Sequence, residues 1–311
     1  MRLVTKVILL TSDTQSQYLY TLTSAKTGAN YRLHAYKMLQ DGKLTEKVNN
    51  GTEVKQDLIN GQTPLLLTAW GGDIYVISAS SQANQNQATL LNYQVDKLGN
   101  EPTKSEISIS TGLVSAVALP DKQLVLLHSD GQLKSLHFTP SKPSENGVVV
   151  QQTVNTPWFQ DAQTFTAATP IATPTTPIVK FLTIPPPTAQ TPQSLLSAGL
   201  INKVPHLFVV DNTNHRVLNF VVTPNAAPTA SATPNNNSVV GGRVVAPSAP
   251  ATLSARLEQQ YVSANVVSGV KSSAFDPRLN HLHLLAGAKN SAASNQVDIN
   301  VSSPTACSKA P

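Results

Sequence analysis

The sequence predicts an all-β fold: a β-propeller of about five four-stranded antiparallel blades, elaborated by Pro-, Thr- and Asn-rich loop insertions. Three observations carry that expectation. Short runs of β-branched, aromatic and aliphatic residues recur along the whole chain. Tight turns separate them, built from Asp-Gly and Gly-Gly pairs and Asx residues that tolerate left-handed dihedrals. The runs also fall into groups of about four, with Tyr20, Tyr75, Val125, Phe208 and His283 at equivalent second-strand positions. The steps between those positions are unequal, as expected where some blades carry insertions.

The first unit, residues 2–50, reads as strands at V-T-K-V-I-L-L, Q-Y-L-Y-T-L-T-S, Y-R-L-H-A-Y-K-M-L and K-L-T-E-K-V, the last two joined by Asp41-Gly42. Its third strand sets Tyr31, Leu33 and Ala35 against Arg32, His34 and Tyr36, so one face buries and the other meets solvent or a neighbouring blade. The second unit, residues 63–110, repeats the plan with P-L-L-L-T-A-W, a Gly71-Gly72 turn, D-I-Y-V-I-S-A-S, A-T-L-L-N-Y-Q-V and S-E-I-S-I-S. The third, residues 113–154, has V-S-A-V-A-L-P, K-Q-L-V-L-L-H, an Asp130-Gly131 turn, Q-L-K-S-L-H-F and V-V-V-Q-Q-T-V. The fourth, residues 176–245, is drawn from P-I-V-K-F-L-T-I at Pro177, a hairpin over Pro205 to Val222, and V-V-G-G-R-V-V at Val239. The fifth, residues 267–303, holds G-V-K-S-S-A-F, N-H-L-H-L-L-A and Q-V-D-I-N-V-S. Gln193 to Asn202 and Ala251 to Ser263 are the places where a short helix fits the pattern.

Residues 169–192 and 223–250 are dominated by Pro, Thr, Ala, Ser and Asn, a composition that buries little apolar surface and reads as surface insertions within one domain spanning 1–311. Charged residues make up 13% of the 311-residue chain and aromatic residues 5%. The balance leans extracytoplasmic. The formal charge of +5 is spread without any Lys/Arg run, which disfavours nucleic acid as a partner. Cys307 is the single cysteine, so no intrachain disulfide and no cysteine-built zinc site is possible. The N-terminal apolar run, Val7 to Leu10, is too short for a signal peptide or a membrane span. The chain starts on the first strand of a blade and runs out after three strands of the fifth. The expectation is a segment of a longer polypeptide, or a ring closed without its full set of strands.

The hairpin P-H-L-F-V-V-D-N-T-N-H-R-V-L-N-F-V-V is the clearest single element. Its core, V-V-D-N-T-N-H-R-V-L-N-F, resembles the NHL repeat, one blade of a β-propeller, in the offsets of Asp, Asn, Arg and Val. Y-L-Y-T-L-T-S and Y-K-M-L-Q-D-G-K-L-T also look like the blades of lactonase-type (YVTN-type) propellers. The resemblance implies the propeller fold. In the gluconolactonase relatives it further implies an inward-facing Glu, Asn and Asp set that binds one divalent metal, and that set has no residue-by-residue match here.

For chemistry, Asp211, Asn214 and His215, with Asn212, offer hard ligands at the hairpin turn, but a calcium loop needs several carboxylates and the turn has one. The same residues cap the hairpin, with Arg216 pairing with an Asp of its own or a neighbouring blade. His281 and His283 share one strand face, and His128, His137 or His206 would have to join them to hold a metal. No nucleophile elbow, phosphate loop or metalloprotease pattern occurs. Trp158 and Phe159 lie in a Pro-flanked segment between blades, where rim aromatics anchor partners. The sequence therefore points to a non-catalytic binding or scaffold module for a protein, peptide or glycan. Its candidate residues are Trp158, Phe159, Asp211, Asn214, His215 and Arg216, and it calls for no cofactor. The alternative is a lactonase-like hydrolase with Ca2+ or another divalent metal in the central channel.

Overall fold

In a computed structural model of the chain, the residues described are 5–13, 15–25, 30–48, 50–79, 87–108, 113–128, 133–137, 195–212, 215–224, 253–262, 269–287 and 294–301. They form five antiparallel sheets, each a run of strands adjacent in sequence. Sheet one contains β1 (Thr5–Asp13), β2 (Tyr18–Ala25), β3 (Tyr31–Met38), β4 (Leu44–Glu46) and β5 (Thr52–Val54), the last two both pairing with β3. Sheet two contains β6 (Thr63–Trp70), β7 (Asp73–Ala79), β8 (Gln87–Gln94) and β9 (Thr103–Ser108). In sheet three β10 (Leu113–Leu119), β11 (Gln123–His128) and β12 (Leu133–His137) are described. Sheet four runs β13 (Leu196–Ile201), β14 (Val204–Asp211), β15 (Arg216–Pro224) and β16 (Leu253–Val262), and sheet five runs β17 (Val270–Asp276), β18 (His281–Gly287) and β19 (Ser294–Asn300).

The first strands β1, β6, β10, β13 and β17 lie side by side in that order and all line one cavity. The fold is a five-bladed β-propeller whose innermost strands surround a central channel. Three of the inner hairpins close through two-residue turns with both residues at positive φ: Gly71-Gly72, Asp121-Lys122 and Asn202-Lys203. That is the type I′ geometry, whose twist matches the right-handed twist of the strands it joins. Gly72 has φ +90 and an added Cβ would sit 3.0 Å from Val95, so conformation and space both select glycine there.

Blade stacking supplies the core. One apolar cluster joins sheets one and two around Tyr20, Leu22, Leu33, Ile74 and Leu91. A second joins sheets two and three around Tyr75, Ile77, Leu90, Leu124 and Leu126. A third runs through sheets three, four and five around Val125, Phe208, Leu218, Phe275 and Leu284. Among the described residues no such cluster joins sheet five to sheet one: Val7 and Leu10 on β1 are 53% and 62% exposed, and Leu285 on β18 is 41% exposed.

Two expectations need correction. Within the stretches Gln193 to Asn202 and Ala251 to Ser263, which fit short helices, Leu196–Ile201 and Leu253–Val262 are the inner and outer strands of sheet four. Ala255, Leu257 and Tyr261 alternate at the two-residue period and pack against the core, a spacing that a short window reads equally well at the helical period. The inner strand is fixed by its partners: β13 pairs β14 from Leu196↔Val209 to Ile201↔Val204, and the backbone at Gly199 lies against the Phe275 ring. The described strands of sheet four run from Leu196 to Val262. The proposed strands at Pro177 to Ile184, Val239 to Val245 and Val148 to Val154 lie outside the described residues.

Candidate functional site

The centre of the molecule is a cavity of about 410 Å³ lined by all five inner strands. These strands are apolar with hydroxyl residues set into them, Thr68 in L-L-L-T-A-W, Ser115 in L-V-S-A-V-A-L and Ser197 in L-S-A-G-L-I. Sheet pairing uses each inner strand on one edge, so groups on its other edge must find partners in the next blade. They do so through side chains. The Gly72 N–H donates to Asp13 Oδ2 at 2.8 Å, tying the turn of blade two to blade one. The Ala118 N–H donates to Thr68 Oγ1 at 2.9 Å, tying blade three to blade two, and the Leu196 N–H donates to Ser115 Oγ at 3.2 Å, tying blade four to blade three. Between blades four and five, Ser273 Oγ donates to Ser197 Oγ at 3.3 Å, and the Asn212 amide brackets Val270, accepting its N–H at 3.0 Å and donating to its carbonyl at 2.9 Å.

Asp13 is the one charged side chain among the described residues of the cavity wall, and it is 1% exposed. Its carboxylate also accepts from the Gln15 N–H at 3.0 Å, the Ser16 N–H at 3.3 Å and the Ser16 hydroxyl at 2.6 Å. Its oxygens are thus committed to one turn and one seam. Trp70 and Phe275 bring aromatic surface to the same wall. Among the described residues no group of three or more His, Cys, Asp and Glu side chains is placed to share a metal ion.

The hairpin residues have structural work. Asp211 and Arg216 face each other across β14 and β15, and Arg216 Nε donates to Asp211 Oδ2 at 2.8 Å, with both side chains buried. Arg216 also donates from Nη1 to Gln260 Oε1 at 3.3 Å on β16. His215 is exposed at φ 52 in the turn, and Asn214, Trp158 and Phe159 lie outside the described residues.

The histidines separate as well. His281 and His283 do share a face, their rings 6.3 Å apart in an edge-on arrangement. His283 Nδ1 lies 2.7 Å from Asp298 Oδ1 on β19. Hydrogen bonds from Gln296 and His283 hold the Asp298 carboxyl below the usual carboxylate range. His206 is buried in blade four beside Asn219, and His128 is buried in blade three. The structure does not bring these residues together with His281 and His283. Burial pushes the Tyr20, Tyr75 and Tyr93 hydroxyls well above the usual tyrosine range, so they stay neutral inside the blade cores.

The residues missed by sequence reasoning are the hydroxyl side chains of the inner strands. The available signal was positional: a single Ser or Thr inside an otherwise apolar or small-residue strand, recurring in the first strand of blades two, three and four.

No protein-family model and no curated protein sequence matches the chain. Among solved structures, it is similar to the Cps50 (Swd1) beta-propeller domain of Myceliophteria thermophila at 12% identity and a TM-score of 0.37, covering 90% of this chain and 79% of that one. It is also similar to extracellular domains 1–2 of Drosophila Semaphorin 1a at 9% identity and a TM-score of 0.37, covering 96% of this chain and 65% of that one. The fold rests on the five-sheet topology itself. No helix of the described residues is long and apolar enough to cross a membrane.

Proposed function

We propose that this propeller is a non-catalytic binding or scaffold module that recognises a protein, peptide or glycan, and that its kinship lies with the NHL-repeat and lactonase-like propellers. The observation that carries the reading is how the polar side chains are used. Asp13, Asp211, Asn212 and Arg216, the groups with most chemical potential near the channel and the hairpin, are spent holding blades and turns together. Blades fastened in series in this way make a rigid platform, and on such a platform recognition falls to loops and rims. Trp158 and Phe159 are the aromatic anchors we assign to that role, together with Asn214 and His215 of the hairpin. Aromatic side chains on a rigid rim supply contact area at low entropic cost.

Array screening of the purified chain against peptides and glycans, followed by titration of the hits, tests the reading. A saturable partner whose affinity falls on Trp158→Ala, with the melting transition unchanged, is expected. Hydrolysis of lactone or ester substrates that depends on added Ca2+ or another divalent metal would overturn the reading.

A further inference from the structure

We propose that the central channel is itself a binding site, for a neutral saccharide. The inference rests on the binding-module reading and narrows its partner class to a glycan. Thr68, Ser115 and Ser197 lie on three successive inner strands, line the same cavity and are 4%, 1% and 7% exposed. Each acts as an acceptor toward the next blade: Thr68 from the Ala118 N–H, Ser115 from the Leu196 N–H, and Ser197 from the Ser273 hydroxyl. A hydroxyl carries one donor as well as its acceptor sites. All three therefore carry an O–H beyond the bond that they accept. Buried polar groups are satisfied by protein, water or ligand, and the space beside these is a cavity of about 410 Å³.

The rest of the wall defines what fits. Asp13 is the one charged side chain of the described wall, so the wall offers no positive counter-charge, and an anionic ligand would lose its hydration without compensation. The same cavity is lined by apolar residues, among them Val7 and Leu10, both more than half exposed, with Trp70 and Phe275. Hydroxyl-bearing residues set among aliphatic and aromatic ones match a sugar ring, which presents acceptor hydroxyls around its edge and C–H groups on its face. The cavity falls within the range of about 300–1,000 Å³ typical of small-ligand pockets.

The test is saturation-transfer NMR and calorimetry on the whole chain with glucose, galactose, N-acetylglucosamine and their β-linked disaccharides, with glucuronic acid as the charged control. At least one neutral sugar should bind, and glucuronic acid should bind more weakly than glucose. Leu10→Arg changes an exposed side chain and places charge at the channel wall, and should weaken binding about tenfold or more. Thr68→Val removes one donor and should weaken binding about tenfold, while Thr68→Ser restores it. If loss of the Ala118 partner unfolds the valine variant, Leu10→Arg carries the test alone. No saturation transfer to any neutral sugar would mean that the channel holds water only, and would overturn the proposal. So would sugar binding unchanged in Leu10→Arg, which would place the sugar elsewhere. Peptide or protein binding at the loop face does not involve Leu10, so its loss and the loss of sugar binding are separate results.

Discussion

Gly199→Ala is the sharpest probe of how blade four meets blade five. Gly199 sits in the inner strand β13 and has ordinary strand backbone, so alanine costs nothing in conformation and would relieve about 0.5–1 kcal/mol of the entropy that glycine loses on folding. Space decides the outcome instead. A Cβ on Gly199 would lie 1.9 Å from Phe275 Cδ1 and 2.4 Å from Cε1, less than any carbon pair tolerates. Phe275 cannot simply swing aside, because it is 7% exposed and stacks on Phe208 with ring centroids 5.1 Å apart. Overpacking of this kind typically costs about 1–3 kcal/mol, and full displacement of a core phenylalanine costs about 3–5. The net expectation is destabilisation by about 1–3 kcal/mol, read as a lower midpoint in urea unfolding with the slope unchanged. Combining Gly199→Ala with Phe275→Leu should cost less than the sum of the two single changes, because the smaller side chain vacates the contested space. Gly199→Ala as stable as the parent, or additive with Phe275→Leu, would refute the packing described for this seam.

Arg216→Met should cost about 3–5 kcal/mol, since it takes the cationic partner from the buried Asp211 carboxylate; pairing it with Asp211→Leu should recover most of that loss in thermal melts. Asn212→Ala removes both bonds to Val270 and leaves that residue's backbone groups to find other partners, so a loss of about 1–3 kcal/mol is expected, with sheet five becoming more accessible to protease before global unfolding. Asp298 has a folded-state carboxyl lowered by Gln296 and His283. Its contribution to stability is therefore present above the ordinary carboxylate range and fades as pH falls through the lowered value. NMR titration of the side-chain carbonyl carbon should show that lowered midpoint, returning toward normal in His283→Ala.

The propeller fold was legible because its signal is local. Alternation such as Tyr31, Leu33, Ala35 against Arg32, His34, Tyr36 survives in the structure as buried against exposed or half-buried positions, and turn residues mark where strands reverse. Sheet four was harder, because L-S-A-G-L-I and S-A-R-L-E-Q-Q-Y are short runs in which two- and three-to-four-residue periods coincide, and only long-range pairing chooses between them. The cross-blade bonds of the channel wall were not legible, although the hydroxyls that make them stand out within their strands. The bonds that build it join residues 59, 50, 81 and 58 positions apart: Asp13 with Gly72, Thr68 with Ala118, Ser115 with Leu196, and Asn212 with Val270. A hydroxyl inside an apolar strand becomes meaningful only once the neighbouring blade is in place. The hairpin pair was legible: the sequence sets Arg216 against an Asp of its own or a neighbouring blade, and in the structure that partner is Asp211, across one turn.

The central claim is that blades one to five are fastened in series along their inner strands. Hydrogen exchange at the amides of Gly72, Ala118, Leu196 and Val270, resolved by NMR, tests it most directly, because these four N–H groups bond to side chains of the preceding blade. The account predicts that all four exchange only through large-scale opening, with protection comparable to the central strands β7 and β14, and that Thr68→Val releases Ala118 more than the other three. Exchange of these amides at the rate of open loops, while β7 and β14 stay protected, would contradict it and show the blades standing side by side without the seams described.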